Sequence, residues 1–387
     1  MTDTIYLDYQ ASKPVDSEVF EAMKPYFNEK FANPSSLHKD GDIATEALRS
    51  SREKIARFIN AKKAKEIIFT SGATESNNLA IIGYAMRNKR KGNHIIISEM
   101  EHISIHNIAK YLKKNGFEIS KVPVDFYGQV RIDKLEQRIK DNTILISIQY
   151  ANNEIGTIQS IKKIAEIAKN HDIIFHCDAV AAEGQIPIDV QKSNIDLLSL
   201  SSNDIYGPRG LGALYVRTGV MLTPIIIGGG QERGLRSGTE DVASIIGMAK
   251  ASELAINRME NDSNRMRELR DYLIDSVLDK IPKSYLNGHP KNRLPNNAHF
   301  RFDYIEGESL LLSLKDEGFS IATGSACTSK TLEPSHTLIC IGLLHEEAHG
   351  SLVITLGRYT TKKEIDQLIE VLPQVVKRLR DLSPLTD

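Results

Sequence analysis

The sequence has few cysteines. Three occur among its 387 residues, at Cys177, Cys327 and Cys340. Small secreted domains that depend on a disulfide framework usually carry more cysteines, and in even number. The low, odd count argues against such a framework and favours a reducing compartment, which we expect to be the cytoplasm. If one of these thiols matters for function, it matters through its reactivity.

Long apolar runs and an excess of charge are also missing. No run approaches the roughly 18 apolar residues that a membrane span needs. The first eight residues lack the apolar stretch of a signal peptide. The formal net charge is -1, whereas nucleic acids and anionic membranes select a basic surface. The sequence therefore predicts neither a membrane nor a nucleic acid as partner.

Segments with the pattern of strands alternate with helical ones in the first half of the chain. Short, continuous apolar runs rich in β-branched residues are typical of parallel strands covered on both faces. Such runs lie at 66–70, 94–98, 143–149, 173–178 and 196–201. Helical patterns lie between them, for example at 73–88 and 160–170. The alternation predicts an α/β fold with a doubly wound sheet.

The length of the chain and a change of pattern predict two domains. A chain of 387 residues is longer than one hydrophobic core usually organises. After about residue 245 comes a long amphipathic helix at 244–281, then strands such as 297–302 and a final helix at 362–382. We predict an N-terminal arm at 1–15 that packs with the small domain, a large domain at 16–260 and a small α+β domain at 261–387.

Polar residues directly follow several of the predicted strands. Ligands of open α/β sheets bind beyond the carboxyl ends of the strands. The glycine turn at 71–73, which opens a helix, can offer free backbone N–H groups to a phosphate, although a purely structural turn explains it equally well. His102, Asn153 and Asp178 follow later strands, and a lone histidine there is more often a satisfied polar residue than a catalytic one. A carboxylate at the end of a buried strand, such as that of Asp178, favours a cation as partner, for example a protonated pyridine nitrogen.

Taken together, these motifs resemble those of the cysteine desulfurases of iron–sulfur cluster assembly, the NifS/IscS-like enzymes. The matching segments occur in order from about residue 6 to 365, at 33–38, 72–78, 101–102, 152–156, 176–179, 206–217, 228–239, 324–327 and 356–358. Each segment alone is weak evidence, whereas the combination is specific. The resemblance implies a pyridoxal-phosphate enzyme of fold type I, with a large domain around a mainly parallel central sheet, a smaller C-terminal α+β domain and a homodimeric assembly.

The resemblance also implies the role of each matching residue toward pyridoxal 5'-phosphate and L-cysteine. His102 is expected to stack on the pyridine ring, and Asp178 to hold its nitrogen protonated, which makes the ring an electron sink. Arg358 is expected to clamp the substrate carboxylate as a planar, bidentate donor. The remaining residues expected at the cofactor are Ala73, Thr74, Ser201, Ser202 and Asn203 near the phosphate, Asn153 near the cofactor hydroxyl and the substrate carboxylate, and Thr239 reaching the phosphate from the partner subunit.

Cys327 lies in a segment, 322–334, that is rich in small polar residues and glycine, which predicts a mobile loop rather than core. In the family this thiolate takes sulfur from cysteine as a persulfide, which requires an exposed, partly ionised thiol. A thiolate is also a good iron ligand. Cys327 is therefore predicted either to carry sulfur or to bind metal in an iron–sulfur cluster shared with an IscU-like scaffold protein. Cys177 and Cys340 have apolar neighbours and are predicted to be small core residues.

The sequence departs from the family at the position that anchors the cofactor. Asp204 occupies the position of the lysine that forms the Schiff base, Arg209 that of a second lysine, and Ala181 that of a glutamine beside the cofactor hydroxyl. A carboxylate forms no imine, and no lysine lies between Lys192 and Lys250 to stand in. We therefore expect non-covalent binding of pyridoxal phosphate, a weak base at Asp204, and slow or absent desulfuration of cysteine.

Two other classes of function stay open beside a desulfurase with Cys327, His102 and Asp204 as its catalytic residues. One is a non-enzymatic protein that keeps the fold to dock a scaffold and position Cys327. The other is a metal hydrolase, because His345 and His349 belong to an H-E-x-x-H pattern that binds zinc when it lies on a helix. Gly350 directly follows this pattern, and the segment lies within the family match, which favours the desulfurase.

Overall fold

A computed structural model of the chain describes residues 4–324 and 334–383. Cys327 lies outside the described residues. The described part forms twelve strands, which are β1 (Ile5–Tyr6), β2 (Ile67–Thr70), β3 (His94–Ser98), β4 (Glu118–Val122), β5 (Thr143–Ser147), β6 (Ile174–Asp178), β7 (Leu197–Ser201), β8 (Gly212–Val216), β9 (Ser284–Leu286), β10 (Asn297–Phe302), β11 (Phe319–Ser320) and β12 (Ser351–Thr355).

The same part of the chain forms twelve α-helices. They are α1 (Ser17–Met23), α2 (Pro25–Asn28), α3 (Lys39–Phe58), α4 (Ala73–Asn88), α5 (Ile103–Lys114), α6 (Ile132–Glu136), α7 (Ile161–Asn170), α8 (Val242–Lys280), α9 (Gly307–Asp316), α10 (His336–Cys340), α11 (His345–His349) and α12 (Lys362–Leu382). None of these helices, within residues 4–324 and 334–383, combines the length and the apolar content that crossing a bilayer requires.

A seven-stranded sheet forms the centre of the larger part of the molecule. Its strand order is β2–β8–β7–β6–β5–β3–β4, and the neighbouring strands from β7 to β4 are parallel. Strand β8 runs antiparallel to both of its neighbours. Helices cover both faces, so strands such as β3 and β5 are buried along their whole length. The predicted α/β fold with a mainly parallel sheet is confirmed.

Helix α8 connects two of the three hydrophobic clusters that the described residues form. Residues of its first half, such as Ile245 and Met248, pack with α3 beside the large sheet. Residues of its second half, such as Leu273 and Val277, pack with Phe300 of the three-stranded sheet β12–β10–β9. The helix is 39 residues long and passes residue 260 without a break. The domain boundary at 260 therefore stays a prediction.

The N-terminal segment runs from a two-stranded sheet, which β1 forms with β11, to the edge of the seven-stranded sheet. Strand β1 pairs in parallel with β11, and the side chain of Leu7 is fully buried in the second cluster. The backbone N–H of Asp16 donates to the carbonyl of Tyr206 at 3.0 Å, beyond the end of β7. These two attachments fix the course of the intervening residues and carry Lys13 into the interior, where it is 4% exposed.

Candidate active site

A cavity of about 260 Å³ opens at the carboxyl edge of the large sheet. His102, Asn153, Asp178 and Asp204 line it, and each of them follows or ends a different parallel strand. Because parallel strands present their carboxyl ends at one edge, side chains from distant segments meet there. The N-terminal segment contributes Lys13 to the lining of the same cavity. The cavity therefore collects polar groups from at least five separate parts of the sequence.

The start of helix α4 forms one side of the cavity. Gly72 precedes the helix with a φ of +143°, a backbone conformation that favours glycine. No side chain among the described residues caps the first turn through a hydrogen bond, and Ala73 and Thr74 both line the cavity. The backbone N–H groups and the positive end of the helix dipole at this terminus favour an anionic group in the cavity.

A chain of hydrogen bonds connects Asp178 to His102. Asn77 donates from Nδ2 to Asp178 Oδ2 at 2.8 Å and to Ser104 Oγ at 3.2 Å. The backbone N–H of Ser104 donates to His102 Nδ1 at 3.2 Å, so Nδ1 is an acceptor and also receives the Ser104 hydroxyl at 2.8 Å. This chain fixes the imidazole ring against one wall and the carboxylate against another. The sequence had not singled out Asn77 or Ser104 as side chains that orient others.

Lys13 lies beside Asp204, where it is the one lysine lining the cavity within residues 4–324 and 334–383. Its Nζ donates to the backbone carbonyl oxygen of Asp204 at 2.5 Å, across 191 residues of sequence. Burial lowers the pKa of Lys13, and the carboxylates of Asp204 and Glu183 partly offset that effect. Lys13 is 191 residues away from position 204 in the sequence and was not predicted to stand in for the missing lysine. The sequence placed it only in an N-terminal arm predicted to pack with the small domain.

Acidic groups surround Lys13. Burial raises the pKa of Asp204, while Lys13 and hydrogen bonds from Ser201 and Asn203 act in the opposite direction. Asp204 is partly exposed and lines the cavity. Glu183 is fully buried, and burial raises its pKa well above its usual range, with Asp204 adding to the effect. We therefore expect Glu183 to keep its proton to a higher pH than an exposed glutamate.

The raised pKa of Glu183 predicts a stability that depends on pH. The folded protein holds this proton more tightly than the unfolded chain, so the wild type loses stability as pH rises above the unfolded value. We expect Glu183→Gln, which mimics the protonated acid, to raise the unfolding free energy by about 1–3 kcal/mol at pH 8 and by less at pH 5. Thermal unfolding at both pH values checks this, with Glu166→Gln on the exposed face of α7 as control. An equal gain at both pH values would contradict the assignment.

Arg358, the predicted carboxylate clamp, does not line the cavity. Its guanidinium donates to Asp16 at 2.8 Å and to Asp262 at 2.7 Å. The same group stacks on the ring of Tyr206, with 4.4 Å between the guanidinium carbon and the ring centroid. The hydrogen bonds to these two carboxylates would have to break, at least in part, before the guanidinium could bind a substrate carboxylate. The role of Arg358 toward a substrate stays a prediction.

Three further residues predicted to contact the cofactor also lie outside the lining of the cavity. Ser201 and Ser202 end and follow β7, and Ser202 is fully buried with its hydroxyl close to Gly207. Thr239 is exposed. The resemblance places Thr239 in the site of a partner subunit, which a single chain does not test. Of the predicted cofactor residues, Ala73, Thr74, His102, Asn153, Asp178 and Asn203 line the cavity.

The two cysteines that the structure describes differ from a reactive thiol. Cys177 is fully buried in β6, and burial raises the pKa of its thiol. Cys340 is half-buried, and burial raises its pKa to about 11. Its Sγ donates to the backbone carbonyl of Glu99 at 3.4 Å. Because the thiolate is the nucleophile, both cysteines are poor candidates for sulfur chemistry.

The H-E-x-x-H segment lies on the short helix α11. His345 and His349 are both exposed there. Within the described ranges, no three histidine, cysteine or acidic side chains come together in a way that could hold a metal ion. The structure therefore gives no support to a zinc site built on this helix.

Comparison with known proteins gives concordant results along the whole chain. Residues 5–368 match the model of the aminotransferase class-V family. The chain is 57% identical over 380 residues to cysteine desulfurase IscS 1 of Archaeoglobus fulgidus, with 98% of this chain and 99% of that protein covered. It is 52% identical over 382 residues to cysteine desulfurase IscS of Methanosarcina thermophila, with 99% and 94% covered. A solved NifS-like protein superposes with a TM-score of 0.91 at 34% identity, over 97% of this chain and 100% of the other. The chain therefore belongs to the aminotransferase class-V family and, within it, to the NifS/IscS-like cysteine desulfurases.

Proposed function

We propose that this chain is a cysteine desulfurase-type protein of iron–sulfur cluster assembly that binds pyridoxal phosphate and L-cysteine and uses the thiol of Cys327. The observation that carries the proposal is the hydrogen-bonded chain from Asp178 through Asn77 of α4 to His102, whose residues line one cavity together with the start of that helix. The family implies pyridoxal phosphate. A homodimer in the cytoplasm, with Thr239 reaching the partner's site, is part of the proposal.

The residues around the cavity fit pyridoxal phosphate. The uncapped start of α4 suits the phosphate, and Asp178 suits a protonated ring nitrogen. The ring of His102, fixed through its Nδ1, offers a flat surface for stacking. Two buried oxygens, Asn77 Oδ1 and Gln185 Oε1, have no hydrogen-bond partner among the described residues, and both side chains line the cavity. Buried polar atoms without partners in a native fold require a ligand or water.

Gln185 can compensate for the glutamine that the family has at position 181 and this chain lacks. Ala181 lacks the amide that the family places beside the cofactor hydroxyl, and Gln185 lines the same cavity. Its side-chain carbonyl is buried and unpaired within the described residues, so it is free to accept a hydrogen bond from that hydroxyl. When bound, the cofactor supplies an electron sink for charge that develops on the substrate α-carbon.

Asp204 limits the rate in this proposal. It offers a carboxyl group where the family has an amine, so the cofactor gains no covalent bond from position 204. Burial raises the pKa of Asp204, which makes it a better base near neutral pH than an exposed aspartate. A single carboxylate still replaces a group that both links and transfers protons. Ordinary desulfuration of cysteine is therefore slow.

The role of Cys327 is tested by replacement. After incubation with L-cysteine and pyridoxal phosphate, we expect a persulfide on Cys327, and we expect Cys327→Ser to lower persulfide labelling by at least about 10²-fold. Cys340→Ser serves as the matched control, because its half-buried thiol has a raised pKa. Thiol-reactive labelling followed by mass spectrometry gives the measurement. Persulfide that persists in Cys327→Ser, or that is absent from a wild type with bound cofactor, would reject the sulfur-carrying role.

The acid at position 204 favours a second candidate function, which is a non-enzymatic role in cluster assembly. A protein without an anchoring amine at that position can keep the fold to dock an IscU-like scaffold and lend the thiolate of Cys327 to a cluster. This candidate is not an enzyme, so it predicts no sulfide release from cysteine. Sulfide release measured with added pyridoxal phosphate separates the two candidates, because any release that is lost in Cys327→Ser rejects the non-enzymatic one.

A further inference from the structure

We propose that Lys13 supplies the amine that binds pyridoxal phosphate covalently, in place of the residue at position 204. The inference rests on the proposed function, because it requires that the cavity binds this cofactor. It revises the sequence-based expectation of purely non-covalent binding. The observations that carry it are the position of Lys13 in the wall of the cavity and its direct contact with Asp204.

The fold brings the amine to the place where one is missing. The backbone N–H of Lys13 lies 3.4 Å from the side-chain oxygen of Asn203, and its Nζ lies 2.5 Å from the carbonyl oxygen of Asp204. The side chain thus runs alongside residues 203 and 204 from its root to its tip. Pairing of β1 with β11 and the bond from Asp16 to Tyr206 hold the segment on both sides. Lysine side chains have four flexible methylene groups, so Nζ can turn from this carbonyl into the cavity.

The amine is not locked in an ion pair. Within the described residues, the hydrogen bond that the structure gives to Lys13 Nζ is to a backbone carbonyl, whereas an ammonium group has three donors. Asp204 and Glu183 attract the charge from nearby without a direct hydrogen bond to Nζ. A lysine that served only to neutralise these acids would be expected to contact a carboxylate oxygen directly. Nζ also lies 5.4 Å from the centroid of the Tyr206 ring, so its contacts are a carbonyl and an aromatic face rather than a carboxylate. An amine held in this way can still react.

Burial favours the reactive form of this amine. Desolvation lowers the pKa of Lys13, which enlarges the fraction of neutral amine at a given pH. A neutral, desolvated lysine amine is a nucleophile toward carbonyl carbon. The protonated form first gives a proton to a neighbouring base, and the carboxylate of Asp204 is suited to accept it. The amine would then come from position 13, and position 204 would accept its proton.

The chemical step balances without any redox partner. Lys13 Nζ bonds to the aldehyde carbon of pyridoxal phosphate, the C=O bond is replaced by C=N, and the oxygen leaves as water with the two hydrogens of the amine. No electrons are gained or lost. The link restores the covalent attachment of the cofactor. Proton transfer at the substrate α-carbon stays with Asp204, so slow turnover is still expected.

The test measures retention of the cofactor and the covalent link separately. Full-length protein is mixed with one equivalent of pyridoxal phosphate, freed of excess by gel filtration, and examined by visible absorbance. It is then reduced with borohydride, and the adduct is located by peptide mass spectrometry. We expect about one reduced pyridoxyl group per chain, on the peptide that contains Lys13, and at least about a tenfold loss of that adduct in Lys13→Met. Lys192→Met, at an exposed position, is the control for labelling of surface lysines.

Two further variants keep the inference falsifiable if Lys13→Met folds poorly. Lys13→Arg keeps the positive charge but forms no imine, so we expect it to retain cofactor and lose the adduct. Lys13→Met combined with Asp204→Lys is expected to move the adduct to the peptide that contains position 204. Cofactor retained by the wild type without an adduct on Lys13 overturns the inference and leaves the proposed function intact. No retention of cofactor at all overturns both.

Discussion

Replacing Asp204 with lysine is expected to raise the rate of sulfide release from L-cysteine by about 10²–10⁴-fold, the usual contribution of a positioned acid–base group. The wild-type carboxylate accepts a proton weakly and makes no covalent bond to the cofactor. A lysine at 204 would do both from the end of β7. Lys13 lies against the backbone of the same residue, and a second cation there lowers the pKa of both amines, which increases their reactivity.

The measurement is sulfide release at saturating pyridoxal phosphate, with bound cofactor determined for each variant. Asp204→Asn is the matched control, because it removes the acid without adding an amine, and we expect it to be no faster than the wild type. Thermal unfolding verifies that the variants remain folded, since the change leaves Lys13 without the carboxylate that attracts its charge most strongly. Equal rates in wild type and Asp204→Lys, both with cofactor bound, would show that position 204 does not limit turnover.

Sequence patterns predicted the elements around this site closely. The helix at 73–88, the strand at 94–98 and the final helix at 362–382 have the predicted bounds. Each of them is bounded by a clear local signal, such as Gly72 before α4. The strand predicted to reach residue 149 ends at Ser147. Local sequence preferences largely decide where such elements begin and end, so these bounds can be predicted without tertiary information.

Pairing between side chains could not be predicted in the same way. The strand-end rule predicted that His102 and Asp178 meet at one edge, but not that Asn77 and Ser104 connect them. Lys13 reaches Asp204 across 191 residues. Contacts of this kind depend on how the N-terminal segment and the sheet pack together, and no periodicity in the sequence records that. The departure at position 204 was visible in the sequence, whereas the amine beside it was not.

Replacing Asp178 with asparagine is expected to weaken pyridoxal phosphate binding by about 10²–10³-fold, because loss of one partner of a buried, hydrogen-bonded charge pair costs about 2–5 kcal/mol. Asparagine has nearly the same shape as aspartate. Its carbonyl can still accept the 2.8 Å bond from Asn77, so the chain to His102 is expected to survive. Its amide group no longer accepts the backbone N–H of Val180, which donates to the other oxygen of Asp178 at 3.1 Å. The change therefore removes the charge expected to face the ring nitrogen together with one backbone hydrogen bond, and keeps the bond to Asn77.

Asp196→Asn is the matched control, because Asp196 precedes β7 at the opposite edge of the same sheet. It too is a carboxylate that accepts a backbone hydrogen bond, from Phe175 at 3.0 Å. Titration with pyridoxal phosphate, followed by visible absorbance, compares the two variants with the wild type. We expect Asp196→Asn to bind as the wild type does, since its side chain does not line the cavity. Unchanged affinity in Asp178→Asn would mean that the ring nitrogen does not face Asp178, and equal weakening in both variants would trace the loss to the sheet rather than to the site.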